Sequence, residues 1–253
     1  MLNIVIPMAG LGSRFAVAGY TDPKPMIKIH GIQMIRWVIA NLTPAIEHRF
    51  IFIAQKKHVE AFQLDEQLAE WAKSSKLVVI DGMTDGAART VLAAKEYIDS
   101  NEPLVIANSD QWVHGDIEGF YESMMKANTD GLIMTMKAND PKWSFIAKDG
   151  AGFVSRVVEK QVISDDATVG IYAFARGADF VAGAAEMIEH GETVNGEYYV
   201  APVYNILISK GSKILNYEVG SESNGMYGLG IPSDLQAFES TELSTVLRAQ
   251  LWK

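Results

Sequence analysis

Along the first half of the chain, short unbroken apolar runs alternate with longer segments in which apolar residues return every three or four positions. The runs are 2–7 (LNIVIP), Phe50–Ala54, Leu77–Ile80, Leu104–Ala107 and 131–136. They lack polar alternation, as strands buried on both faces do. Between them, Ile32, Ile35, Val38, Ile39 and Leu42 fall at helical spacing and predict a helix over 31–42. A sparse apolar stripe among charges predicts another over 58–73. Helices are also expected over 88–99 and 116–127.

Strict alternation of strand and helix implies right-handed crossovers and a parallel sheet covered on both sides. The predicted fold is therefore α/β, a Rossmann-like three-layer α/β/α sandwich. In such sheets ligands bind beyond the carboxyl ends of the strands. Three loops, 8–14, 81–88 and 108–112, should meet there. The second half changes character: Trp143–Ala147, Gly152–Val158 and Val169–Phe174 read as strands joined by turns. They predict a mixed C-terminal extension of a mainly parallel central sheet. Helices over 177–190 and 197–210, a strand over 213–219, a short strand near 226–229 and a terminal helix from about 233 follow. Ser233 with Gln236 three residues on reads as a capping box for that last helix. No linker, repeat or low-complexity tract interrupts the chain, so one domain over 1–253 is expected.

Composition narrows the function. A chain of 253 residues can bury a substantial core. Its 48% hydrophobic and 21% charged residues are ordinary for a globular protein. The net charge of −9 argues against nonspecific nucleic-acid binding, although a few local cations can still dominate a nucleotide pocket. With no cysteine there is no disulfide, thiolate nucleophile or Cys-based metal site, which fits a reducing cytoplasm. The chain enters a strand directly, without the pattern of a signal peptide. No apolar run reaches the roughly 20 residues needed to span a membrane. The five histidines show no ligand spacing, and no Ser–His–Asp set suggests itself.

The candidate chemistry begins where the first strand ends, in Met8-Ala9-Gly10-Leu11-Gly12-Ser13-Arg14. Two glycines in three residues let the backbone approach a ligand and leave N–H groups free for an anion. Arg14 adds a charged, planar fork suited to phosphate. Ten residues on, Pro23-Lys24-Pro25 is expected to hold a lysine in a stiff extended segment. Together these residues describe a polyphosphate site. A dinucleotide fingerprint would need a third glycine where Phe15 stands, and no G-x-x-x-x-G-K-[ST] loop occurs.

The string G-x-G-S-R-F followed by P-K-P-M resembles the signature of the sugar-phosphate nucleotidyltransferases, which include the nucleotide-sugar pyrophosphorylases and related cytidylyltransferases. The resemblance extends over nearly the whole chain and divides it into a nucleotide-binding half, about 1–138, and an acceptor-binding half, about 139–253. It implies that Arg14 and the amides of 10–13 hold the β- and γ-phosphates of an NTP and that Lys24 sits near the α-phosphate. In Asn108-Ser109-Asp110-Gln111, just past a buried strand, Asp110 read alone either caps the following turn or faces a cation. The family has an aspartate here that holds Mg²⁺, with the nucleotide contacted by neighbours such as Ser109. Gly86 and Ala87 read alone are an ordinary turn or a place for a flat base; the family reads the base with this loop. Where many members have a base-reading glutamine, this chain has Asp81 nearby. A carboxylate there would favour an amino-bearing base, hence CTP or GTP.

Glu159-Lys160 is either a solvated strand end or, as in the family, a pair turned to sugar hydroxyls and to the acceptor phosphate. Ala167–Tyr172 matches the family's acceptor-side strand, with Gly170 near the sugar. Asn195 and Tyr198, in Asn195-Gly196-Glu197-Tyr198-Tyr199, could line the acceptor pocket or belong to core and rim. One position departs from the pattern. Many members have a second metal-binding aspartate in W-x-D-x-G-T-P; here the segment is Met226-Tyr227-Gly228-Leu229-Gly230-Ile231-Pro232, with Gly228 in place of the aspartate.

The expected activity is transfer of an NMP group from an NTP to a phosphorylated acceptor, a sugar 1-phosphate foremost. Pyrophosphate is released, and the product feeds nucleotide-sugar or surface-polysaccharide synthesis. A cytidylyltransferase acting on a non-sugar phosphate fits the same residues. A nucleotide-binding regulatory protein that has lost catalysis is the reading Gly228 motivates. Neither nucleic acid nor membrane is an expected partner, and the exposed second half could carry a homo-oligomer interface.

Overall fold

The computed structural model describes residues 1–126 and 129–252. Eleven strands among these residues form one sheet. Its parallel part consists of β1 (Leu2–Pro7), β4 (His48–Gln55), β5 (Lys76–Ile80) and β6 (Leu104–Ala107), in the order β5-β4-β1-β6. A two-stranded hairpin, β2 (Lys28–Ile29) and β3 (Ile32–Gln33), stands apart from this sheet. Beyond β6 the order continues β11 (Asp166–Phe174), β8 (Gly131–Lys137), β12 (Ile214–Glu222), β13 (Gly225–Gly228) and β7 (Gln111–Val113). β11 is antiparallel to both its neighbours β6 and β8. The antiparallel pair β9 (Ser144–Lys148) and β10 (Val154–Glu159) joins at β11. A mainly parallel half with a mixed extension is thus the observed architecture.

Alternate residues of the central strands feed two separate cores, which makes the third layer visible. Ile4, Ile6, Phe50 and Phe52 pack on one face with α2 (Met34–Leu42), the pair α3 (Lys56–Phe62) and α4 (Leu64–Trp71), and α7 (Ile117–Lys126). Val5, Ile51 and Ile53 pack on the other, with α5 (Ala87–Leu92), α6 (Lys95–Ile98), α8 (Gly177–Glu189) and α9 (Val203–Ser209). Each such buried side chain stabilises the fold by about 1.5–3 kcal/mol. A third cluster gathers at one end around Trp37, which meets Trp112, Phe238 and Trp252 edge-on. It packs Phe15 of α1 (Ser13–Val17) together with α10 (Pro232–Glu239). The last helix is α11 (Glu242–Leu251).

Several predicted elements differ. The helix expected over 31–42 starts at Met34, because Ile32 belongs to the hairpin β2–β3, whose turn uses His30 and Gly31 at positive φ. The helix over 58–73 is two, broken at Gln63 in a left-handed conformation (φ 49°). The helix over 88–99 is also two short pieces. The end of the helix predicted over 116–127 falls outside the described residues. Residues 197–202 are loop rather than the start of a helix, and the helix covers only Val203–Ser209. At the C-terminus Pro232 opens α10 and Ser233 bonds to Asp234 rather than capping the backbone. The capping side chain is Thr241, which accepts from the Ser244 N–H at the start of α11.

Candidate active site

A cleft of about 440 Å³ opens at the carboxyl ends of β1 and β6. Its lining includes Met8, Ala9, Gly10, Leu11, Gly12 and Ser13 from the loop after β1, and Lys24. It also includes Gly86 and Ala87 from the loop after β5, and Ser109 and Asp110 after β6. The convergence expected from strand topology is therefore present, and these residues stand together.

The glycine loop is held from below. Met8 N–H donates to Ile53 O at 2.9 Å, and the buried Gln55 amide donates to Ala9 O. Among the described residues, the main-chain N–H groups of Gly10, Leu11 and Gly12 donate to no protein acceptor, which leaves them for an anion. Gly12 sits at φ 61°, and a β-carbon there would lie 3.2 Å from Cβ of Lys24. The glycine thus admits both the left-handed turn and the lysine packed on it. Lys24 is not extended as its prolines suggest. It opens a 3-10 turn, Lys24–Met26, closed by Met26 N–H to Pro23 O and Ile27 N–H to Lys24 O. Pro25 fits early in that turn because its missing N–H is not needed there.

From the turn, Lys24 Nζ reaches across the cleft to Asp110 Oδ2 at 2.8 Å, and both side chains remain 22% exposed. Asp110 is fixed on its other side: its carbonyl accepts from Leu229 N–H at 2.8 Å, and Trp112 two residues on is anchored in the aromatic cluster. Its carboxylate rests against Gly230, where a β-carbon would come within 2.4 Å of Oδ2. Gly228 faces elsewhere. A β-carbon there would meet Asp234 Oδ2 at 3.2 Å, and both residues line a separate small pocket. Among the described residues no three His, Cys, Asp or Glu side chains gather as a metal site. One hard-oxygen ligand beside open backbone amides still suits Mg²⁺, a cation bound through one or two carboxylates with a phosphate substrate and water completing its shell.

The other predicted site residues do not line the cleft, and their positions have local causes. Asp81 is exposed just after β5; Met83, Thr84 and Thr90 occupy the wall where it was expected. Arg14, exposed in α1, is near enough for its charge to act on the Tyr199 phenol. Gly170, at φ 79°, lies where β11 shifts register against β8; a β-carbon there would overlap the Asn108 side chain. It makes room for Asn108, which does line the cleft.

Asn195 is exposed and forms with Gly196 the positive-φ pair of a tight turn closed by Val194 and Glu197. That turn presents Glu197 and Tyr199 to the cleft. Tyr198, between them, is buried: its N–H donates to Asp85 O at 2.8 Å and its carbonyl accepts from Ala88 N–H at 2.9 Å. Glu159 and Lys160 stand behind this rim. Lys160 donates to the Tyr199 hydroxyl, and Ser144 donates to the Glu159 carboxylate. Burial raises the Glu159 carboxyl above its ordinary range, aided by the charge of Glu197 and opposed by Ser144 and Lys160. The Tyr199 phenol is raised too, first by burial and then by Glu197.

Glu197, Tyr199 and Thr90 were not singled out by sequence reasoning. Tyr198-Tyr199-Val200 has no polar alternation in sequence, so nothing there marked Tyr199 as the ring that faces the cleft.

Residues 4–198 match the family described as nucleotidyl transferase. The chain belongs to the nucleotidyl transferase family. It is 24% identical over 245 residues to the bifunctional protein GlmU of Thermodesulfovibrio yellowstonii, covering 92% of this chain and 50% of that one. It spans about half the length of the curated relatives it matches. Among solved structures, a nucleoside-diphosphate-sugar pyrophosphorylase from Vibrio cholerae superimposes with a TM-score of 0.77 at 29% identity, covering 94% of this chain and 100% of that one. A UDP-glucose pyrophosphorylase complexed with UDP-glucose shares the fold at 16% identity, with a TM-score of 0.74 and 99% of each chain covered.

Proposed function

We propose that this nucleotidyltransferase moves an NMP group from an NTP to a sugar 1-phosphate, releasing pyrophosphate. The observation that carries the reading is the meeting of the open glycine loop, Lys24 and Asp110 in one cleft, with Lys24 and Asp110 2.8 Å apart. An acceptor phosphate is already anionic at neutral pH, so attack needs no general base. What the protein must supply is alignment and charge neutralisation. The free amides of 10–12 and Arg14 hold the β- and γ-phosphates. Lys24 moves from Asp110 onto the α-phosphate as negative charge shifts toward pyrophosphate. Asp110 is the residue that would hold Mg²⁺, which when bound offsets phosphate charge and orients the leaving group.

The loop after β5 takes the base, with Met83 and Ala87 as an apolar bed beside Thr84. On the acceptor side, Glu159 and Glu197 accept hydrogen bonds from hydroxyl groups, and Lys160 attracts the acceptor phosphate. The product identifies the reaction. Incubation with Mg²⁺, an NTP and a panel of sugar 1-phosphates should give a nucleoside diphosphate sugar, read by phosphorus NMR. A nucleoside diphosphate product that forms with non-sugar phosphomonoesters added to the panel, and with no sugar 1-phosphate, would replace the acceptor assignment.

A further inference from the structure

The cleft wall after β5 contains two hydroxyl groups whose protons are already committed. Thr84 Oγ1 and Thr90 Oγ1 lie 2.6 Å apart. Each also approaches the carbonyl oxygen of Gly86, at 3.0 Å and 3.1 Å respectively. A threonine hydroxyl has one proton and two lone pairs. The short oxygen–oxygen contact requires one of the two protons between the hydroxyls. The Gly86 carbonyl takes the other. This holds whichever threonine donates to which. Both protons have partners inside the triad, so the pair presents lone pairs to a ligand and can donate only by giving up the bond to the Gly86 carbonyl.

Thr84 is half-buried and Thr90 is 7% exposed, yet both line the cleft. The triad is rigidly placed. Thr90 N–H also bonds to Gly86 O at 3.0 Å, and Gly86 sits at φ 130° against the backbone of Tyr198. A β-carbon at Gly86 would lie 2.4 Å from Tyr198 N, so the turn has little freedom to re-aim its hydroxyls.

Lys24 and Asp110 meet beside β1 and β6, whereas Thr84 lies in the loop after β5 and Thr90 in α5, and all four line one cleft. Met83, 57% exposed, and Ala87 give a flat ring an apolar bed beside the hydroxyls.

We infer that the Thr84–Thr90 hydroxyl pair is a base-reading element that accepts a hydrogen bond from an exocyclic amino group, so the cleft takes an amino-bearing nucleotide such as CTP over UTP or dTTP. This rests on the transferase reading given above, which places an NTP in the cleft. A keto oxygen at the same place would face lone pairs and leave its own acceptor unmatched. A site built to hydrogen-bond one group rejects the analogue that lacks it. The preference assigned to Asp81 from sequence thus has a different origin, since Asp81 stands outside the cleft wall.

Calorimetric titration of the full chain with CTP, UTP, dTTP, ATP and GTP, with Mg²⁺ and no acceptor, tests this. CTP, or one of the amino-bearing purine nucleotides, should bind roughly tenfold or more tighter than UTP and dTTP. In the Thr84→Val/Thr90→Val double variant, the CTP:UTP ratio should fall to within about twofold of unity, while Thr84→Ser should keep the native ratio. UTP or dTTP binding as tightly as the amino-bearing nucleotides to the native chain would overturn the inference and leave the transferase reading standing. Binding of no NTP at all would overturn both.

Discussion

At the scale of single residues, the account turns on Lys24 and Asp110. In the free chain each neutralises the other across the mouth of the glycine loop. Lys24→Ala should lower kcat by about two orders of magnitude, roughly 3 kcal/mol of transition-state stabilisation. Unfolding by urea should be nearly unchanged, because the pair is partly exposed and such pairs contribute little to stability. A second charged residue matters for a different reason. Asp166 is 4% exposed and accepts from Lys137 Nζ at 2.6 Å and from Lys148 Nζ at 2.8 Å. Burial opposes its ionisation, but the two lysines outweigh that and hold its carboxyl below the ordinary value. A depressed folded-state value means stability that is present above the unfolded-state titration and lost as pH falls through the folded one. Asp166→Asn should therefore destabilise the chain at pH 7 by about 1–3 kcal/mol. The gap to the native chain should narrow below about pH 4, where the unfolded carboxylate is protonated. Urea melts of both proteins at pH 7 and pH 3 measure it, and a constant gap would mean the pair does not titrate with folding.

At the scale of elements, the second half reaches the loop after β5 through backbone hydrogen bonds and through the Tyr198 ring, which lies against Arg89. Tyr198 exchanges hydrogen bonds with Asp85 and Ala88, and Gly86 lets the strands of chain pass close. Gly86→Ala brings a β-carbon within 2.4 Å of that backbone at a φ of 130° that L-residues rarely adopt. It should cost about 2 kcal/mol or more of stability and weaken NTP binding. Thermal melting and nucleotide titration read the two effects separately. This contact explains why Tyr198 was a poor choice from sequence and Tyr199 a better one. An aromatic pair in a polar stretch gives no sign of which ring faces inward until the backbone partners of the loop are known. Asn195 likewise advertised a polar site, whereas Asn-Gly is the chemistry of a tight turn. Local signals named the glycine loop and Lys24 because their residue types are demanded by the turn and by the packing on Gly12, whereas Asp110 read alone stayed open between a turn cap and a cation ligand until the family resemblance was added. They missed Thr90 and Glu197, whose placement depends on contacts more than a hundred residues apart or on a hydroxyl back-bond within a helix.

At the scale of the whole molecule, the alternation of buried runs and helical stripes was enough to predict a parallel sheet with helices on both faces. Residues 4–6 and 50–53 send alternate side chains to two cores, as that architecture requires. The mixed extension was legible only as strands with little helix between them. Its order, with β11 inserted beside β6 and β7 closing on β13, depends on long-range pairing that no local pattern carries. That extension brings Leu229 and Gly230 against Asp110, so the C-terminal half supports the cleft wall built by the N-terminal half. The proposed transfer joins two phosphates rather than hydrolysing one. The most direct measurement is the phosphate product released from an NTP with Mg²⁺ in the presence and absence of a sugar 1-phosphate. One pyrophosphate per NTP consumed, dependent on the acceptor and about a hundredfold slower with Lys24→Ala, is the predicted result. Release of orthophosphate, or of pyrophosphate at the same rate without any acceptor, would contradict it.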